Sequence, residues 1–282
     1  MRTLHYHGCA IAFGTRHGKE HAVGPAFADI LGARVTAPPD LDTDQFGTFT
    51  GDVTRTLTPL DAARAKARLA MRATGIHRAL ASEASYGPLR GVGLTGHEEI
   101  LLFLDDTLGI EIIEGHRSLF TPARGRRATS YTDLSPTLAE LGWPAQGLVV
   151  RPAIGGTRDD IVKGITDAAR LATAITTSAR RSADDHALIE PDLRANHNPT
   201  RQAVLTQLAV TLATRLARAC PQCATPGYGR IDTERGLPCQ HCGTPTDLVR
   251  ADVHGCAHCP HRHTHPRPVT AAAPRWCPHC NP

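Results

Sequence analysis

Eight of the nine cysteines in this 282-residue chain fall after residue 219, in four C-x-x-C pairs: Cys220/Cys223, Cys239/Cys242, Cys256/Cys259 and Cys277/Cys280. A two-residue spacer lets one tight knuckle offer both sulfurs to a single ion, and four thiolates in a tetrahedron suit zinc. Fifteen residues separate Cys223 from Cys239 and seventeen separate Cys259 from Cys277. Both intervals fit a zinc-ribbon spacing of roughly 15–20 residues. The spacing therefore predicts two structural zincs in series, one on the first two pairs and one on the last two. A crossed arrangement, first pair with third, uses the same ligands and stays open. His241, His254, His258, His261, His263, His265 and His279 share the segment, but eight cysteines already fill two sites and the histidines read as bystanders. Closed four-cysteine sites hold a fold and leave no position for chemistry. Cys9 stands apart, in an apolar run, and reads as a small buried hydrophobe.

A second group of chemically capable residues lies earlier. Thr15-Arg16-His17-Gly18-Lys19 interrupts the passage from a strand-like "GCAIAF" to a helical stretch from residue 20. A helix N-terminus beside a lysine is what a phosphate needs. Asp61 falls in the first turn of another helix, where an acid complements the helix dipole, and Lys66 follows five residues later. Glu83 ends an apolar strand before a glycine turn, a common position for a metal ligand in α/β folds. Arg194, His197, Asn198, Thr200 and Arg201 crowd the approach to a late helix.

The elements that must position these groups read as α/β. Apolar spacing gives a helix over 20–31 that stops at Gly32, and "ARVTA" a second strand. Thr58 and Pro59 open a strong helix that ends at Gly75. "RALAS" reads as a strand running into "EASYGP". "EILLFLDD" and "GIEIIEG" form a hairpin. "SPTLAELGW" reads as helical, "GLVVRPA" as a strand, 159–180 as a helix, and roughly 200–219 as a long helix leading into the first knuckle. The expected organisation is an α/β domain over 1–218 and tandem zinc ribbons over 219–282.

Bulk properties narrow the function classes. Hydrophobic residues make up 41% of the chain, charged residues 21%, and the net charge is +4, which argues against wholesale disorder. No apolar run approaches the ~20 residues of a membrane span. Arg2 and a short apolar stretch make no signal-peptide core. Paired cysteines in an otherwise cysteine-poor chain suit metal in a reducing compartment, so the expectation is a cytoplasmic protein without a membrane partner. After residue 219 there are six arginines and four acids. Each Zn(Cys)4 centre adds about −2, so the segment makes a poor footprint for a phosphate backbone. Protein docking or simple stabilisation is at least as good a reading of the ribbons as nucleic-acid binding.

Two resemblances follow from these residues. "HGKE", "DTDQFGTFTG", "ARAKA", "NPTR" and the closing "CNP" resemble a bacterial family, a domain of unknown function, that ends in a double zinc ribbon. Residues 9–215 resemble, in motif order, the inosine triphosphate pyrophosphatase superfamily, its non-canonical purine nucleoside triphosphatase branch above all. Thr15 to Lys19 is similar to that superfamily's T-x-N-x-x-K, one residue shorter and with His17 for Asn. Thr58 to Ala67 is similar to its T-x-x-E-x-A-x-x-K-A helix, with Asp61 for Glu. Glu83 with Gly87, the hairpin, and Thr200-Arg201 follow in order. The resemblance implies a mixed-sheet fold and magnesium-dependent hydrolysis of non-canonical or modified nucleoside triphosphates. It implies Asp61, Glu83, Lys19 and Lys66 as the catalytic set, with Asp61 and Glu83 on Mg2+. Thr15, His17, Arg194, Thr200 and Arg201 would bind substrate, and a homodimer is one expected assembly. Glu83, Asp44 and Glu20 are the candidate bases, and Asp42 and Asp44 alternative metal ligands. The competing class is a non-catalytic nucleotide- or nucleic-acid-binding protein.

Overall fold

The computed structural model describes residues 4–49, 53–89 and 93–282. Arg2 and the Thr50-Gly51-Asp52 part of the "DTDQFGTFTGDV" loop lie outside them.

The chain begins β1 (Ala10–Phe13), α1 (Glu20–Leu31), β2 (Arg34–Thr36), α2 (Pro59–Thr74), β3 (Arg78–Pro88), β4 (Thr95–Asp105) and β5 (Ile110–Ser118). These strands form one mixed sheet in the order β2-β1-β3-β4-β5. β1 runs parallel to both neighbours, while β3, β4 and β5 pair antiparallel. The helix boundaries have local causes. Gly32 closes α1 in the left-handed conformation. Thr58 caps α2 by accepting from the Asp61 N–H, Pro59 occupies its first turn, and Gly75 ends it.

Period-two alternation divides the sheet's side chains between two faces. Ile11, Phe13, Leu80, Leu101 and Phe103 pack under α1 and the last long helix, α5 (Pro199–Leu216). Ala12, Ala79, Ala81, Leu102 and Leu104 pack under α2 through its Ala63, Ala67 and Ala70. Small residues on both sides bring α2 close to the sheet. A Cβ on Gly14 would stand 2.2 Å from the Lys66 carbonyl oxygen, so only glycine admits this approach.

A second sheet follows: β6 (Arg126–Ala128), the short α3 (Tyr131–Leu134), β7 (Leu148–Pro152), β8 (Val162–Ile165), α4 (Ala168–Arg181) and β9 (Ala187–Pro191), in the order β6-β9-β7-β8. Leu171, Ile175 and Ala179 of α4 pack on Leu148, Val150, Ile165 and Ile189. The helix expected from 159 begins only at 168. Gly164, at φ +65°, interrupts helical geometry, and the Asp167 carboxylate caps the Arg170 N–H at 2.8 Å. The "SPTLAELGW" helix is a tighter 3-10 turn over Ser135–Leu141. α5 then returns to the first sheet beside α1.

The last segment is a three-stranded antiparallel sheet, β10 (Gly229–Arg235), β11 (Val249–Gly255) and β12 (Arg262–Pro266). It touches the first sheet through Arg215 of α5, which bonds Glu114 of β5 at 2.9 Å and the Gly227 carbonyl at 3.1 Å. Among the described residues no helix is long and apolar enough to cross a membrane.

Candidate functional site

The cysteines form two four-sulfur clusters, and their pairing corrects the serial arrangement expected from spacing. Cys220 and Cys223 gather with Cys256 and Cys259; Cys239 and Cys242 gather with Cys277 and Cys280. The reason is topological. The first knuckle precedes β10 and the second follows it, so a seven-residue strand holds them about 23 Å apart. β11 runs back to set the third knuckle beside the first, and β12 runs forward to set the fourth beside the second. Each end of the sheet therefore owns one cluster.

The geometry suits zinc. Cross-knuckle sulfurs lie 3.8 Å (Cys220–Cys259), 3.5 Å (Cys223–Cys256), 3.9 Å (Cys239–Cys280) and 3.6 Å (Cys242–Cys277) apart. Sulfurs at Zn–S ≈ 2.3 Å on a tetrahedron stand about 3.8 Å apart, whereas a disulfide would hold them at about 2.05 Å. Thr225 and Thr244, each two residues past a knuckle, bond Cys223 and Cys242 and bring both thiols down to about 6. Contacts among the sulfurs push Cys259 and Cys280 up to about 12, so one thiolate per cluster is ready near neutral pH and the others lose their protons as a metal binds.

The second site lies at the carboxyl end of β1, between the two larger sheets. It is a narrow cleft of about 60 Å³ that opens to solvent. Among the described residues, Lys19, Arg55, Lys66, Lys163, Arg194 and Arg201 line it, against only Asp44 and Glu83 as carboxylates. Strand alternation explains how the groups meet. Ser82 points to the α1 face and Glu83 to the α2 face, and each collects the lysine of its own helix. Lys19, at the N-cap of α1, donates to the Ser82 hydroxyl at 3.0 Å and its carbonyl at 3.2 Å. Lys66, in the middle of α2, donates to Glu83 at 2.5 Å, and Arg55 donates to the other Glu83 oxygen at 2.8 Å.

Behind this layer Arg201, 2% exposed, forks onto Glu99 at 2.7 and 2.8 Å and bonds the Leu193 carbonyl at 2.6 Å. Phe49 lies against both the Arg55 and Arg201 guanidinium groups, at 4.1 and 5.3 Å. Burial would raise the Glu99 carboxyl, but Arg201 overrides it and holds the group at about 2. Burial would likewise raise Glu83, and the Lys66 and Lys19 ammonium groups keep it below its ordinary value. Lys19 carries the cost of this crowding. Burial, then the charges of Arg201 and Lys66, lower it to about 7. The cleft holds more positive charge than its carboxylates balance.

Of the residues singled out from the sequence, Lys19, Lys66, Glu83, Thr15, His17, Arg194 and Arg201 line this cleft. Thr15 accepts from the His17 N–H, and His17 bonds Asp44 at 3.1 Å. Arg194 is held by Asp192. Asp61 and Thr200 do not line it. The Asp61 carboxylate accepts from the Thr58 hydroxyl at 2.6 Å and from Arg64 at 3.0 Å, on the exposed side of α2. Thr200 is exposed in the first turn of α5. Arg55, Lys163 and Glu99 were not singled out. Glu99 had a signal: in "HEEILLFLDD" it shares a face with Leu101 and Phe103, so a core charge there demands a buried partner. Arg55 and Lys163 had none.

An α/β protein with a cationic cleft and a cross-braced four-cysteine pair is the class these features define. A family model described as Domain of unknown function (DUF6671) matches residues 66–282, and the chain belongs to that family. The match includes Lys66, Glu83, Arg201 and all eight clustered cysteines; Lys19 precedes it. No curated protein matches the chain.

Proposed function

We propose that the cleft grips the phosphate chain of a nucleotide, and that the protein is a nucleoside triphosphate pyrophosphatase acting on non-canonical or modified nucleotides. The observation that carries this reading is the meeting of Lys19, Lys66, Glu83 and Arg201 around one positively charged cleft, four groups that stand far apart in the chain.

The magnesium site implied by the resemblance does not fit these residues. Asp61 is turned away, and both oxygens of Glu83 are engaged by Lys66 and Arg55. The chemistry is therefore assigned to the chain's own groups. An entering polyphosphate competes for Lys66 and Arg55 and draws them from Glu83. Lys19 takes up a proton and neutralises a phosphate oxygen. Glu83, released, accepts a proton from the water that attacks the α-phosphorus. The α–β anhydride bond breaks, and the lysines stabilise the charge that develops on the departing pyrophosphate. The fully engaged Glu83 equally favours a second reading, in which the cleft binds a nucleotide without turning it over.

Pyrophosphate release by zinc-loaded protein across canonical and deaminated nucleoside triphosphates, with and without Mg2+, separates the readings. Turnover abolished by Lys19→Met and by Lys66→Met supports the enzyme. Binding without turnover supports the second reading. Neither binding nor turnover for any nucleotide overturns both.

A further inference from the structure

The histidines of the C-terminal sheet are not scattered. In the β11–β12 register His254 stands opposite His263, and Asp252 opposite His265. Alternation puts His254, His263 and His265 on one face. Nδ1 of His263 lies 3.2 Å from Nε2 of His265, with ring centroids 4.4 Å apart. The His254 ring lies 4.5 Å from that of His265. Asp252 is occupied by Arg267, at 2.8 and 3.1 Å, so the imidazoles are the groups left to act.

We propose that this face is a third metal site, distinct from the two thiolate clusters, for a borderline divalent transition ion such as Zn2+, Ni2+ or Cu2+. Two imidazole nitrogens bound to one ion at about 2.05 Å stand about 3.3 Å apart on a tetrahedron and about 2.9 Å apart at a right angle. The 3.2 Å separation of His263 and His265 lies within that bite. A His-x-His pair on a strand projects both rings the same way, and a histidine on the neighbouring strand supplies a third direction, so the set approaches from one side. As placed, the three rings do not bring one nitrogen each within the 4.8 Å that the thiolate clusters achieve. His254 joins by a turn of its side chain, so the pair is the primary grip and His254 tightens it. His263 and His265 are exposed and His254 half-buried, which leaves the remaining coordination positions to water. The ion would thus stay exchangeable and open to an external ligand, unlike the closed four-cysteine sites.

The two classes of site differ in ligand softness, and this gives the test. Full-length protein is first loaded with two equivalents of zinc, and Ni2+ is then titrated in by calorimetry, with total metal counted by mass spectrometry. The expected result is one additional equivalent of Ni2+ with the two zincs retained. In His263→Ala/His265→Ala that equivalent is lost, and in His254→Ala its affinity falls about tenfold or more. Two retained zincs in each variant show that the sheet still folds. If the double alanine variant sheds zinc, His265→Asn alone is used, where the same loss of the third equivalent is expected. Nickel uptake equal in parent and variants overturns the proposal, as does no uptake beyond two metals. So would a parent whose His263 and His265 ring resonances stay sharp when paramagnetic Ni2+ is added.

Discussion

Each four-cysteine cluster gathers thiols that turn anionic on a metal, and the cleft gathers ammonium and guanidinium groups, so both regions can concentrate one sign of charge. They relieve it differently. In the clusters the sulfurs lie at the ends of a small sheet, one of the four in each is exposed, and a dication would supply the counter-charge that four thiolates need. In the cleft Glu83 and Glu99 already neutralise part of the charge, and the remainder appears as a lysine whose proton is loosely held. One region therefore offers its sulfurs to a metal ion at each end of a sheet, and the other keeps an excess of positive charge inside a folded cleft.

That contrast is broken most forcefully by removing metal. Chelation should unfold β10 to β12 while leaving the first sheet intact, because a structural zinc contributes about 10 kcal/mol or more to a module of this kind; loss of amide protection confined to residues 219–282 is the expected readout. Zinc counting sharpens the pairing. Cys220→Ser/Cys256→Ser should lose one zinc and keep one, since both belong to the same cluster, whereas the serial arrangement would have both sites damaged.

The next largest effect is on the cleft's own support. Glu99→Ala leaves the Arg201 charge buried without its partner, and a loss of about 3–5 kcal/mol is expected in urea unfolding of zinc-loaded protein. The effect should exceed that of any single exposed carboxylate.

A smaller effect comes from Lys19. Its folded value is about 7, below that of an unfolded lysine, so between pH 7 and about 10.5 the unfolded chain binds more protons and stability rises with pH. The penalty of burying the charge is fully present below that window. An anion pulls the proton back. Triphosphate affinity should therefore fall as pH rises above 7, by at most about tenfold per unit, with proton uptake seen as a binding heat that varies with the buffer. Lys19→Met should lose that variation. The smallest effect belongs to Asp61→Asn. With its carboxylate tied to Thr58 and Arg64 outside the cleft, triphosphate binding should change less than about twofold; a large loss would restore Asp61 to the site.

The two regions also differ in how far the sequence revealed them. Ligand identity in the cysteine module was local, since each C-x-x-C knuckle is a self-contained turn. Its pairing was not, because β10 to β12 decide which knuckles meet and their exposed, polar residues give little strand signal. In the first sheet, alternation and caps placed β1, α1, α2 and the long hairpin. The second sheet was obscured because β8 and β9 are short and Gly164 hides inside an apparently helical run. The cleft was legible where a residue sat at an element's end, as Lys19 and Glu83 do. It was illegible where tertiary packing alone brings a loop residue such as Arg55 over a strand. Asp61 shows the converse: a motif position can match while the helix face turns its carboxylate to solvent.

The measurement closest to the central claim is calorimetric titration of inorganic triphosphate into zinc-loaded protein at pH 7, beside Lys19→Met and Lys66→Met. The account predicts a single saturable site, weakened at least tenfold in each variant, with proton uptake lost in Lys19→Met. Equal binding by all three proteins, or none by the parent, would contradict it.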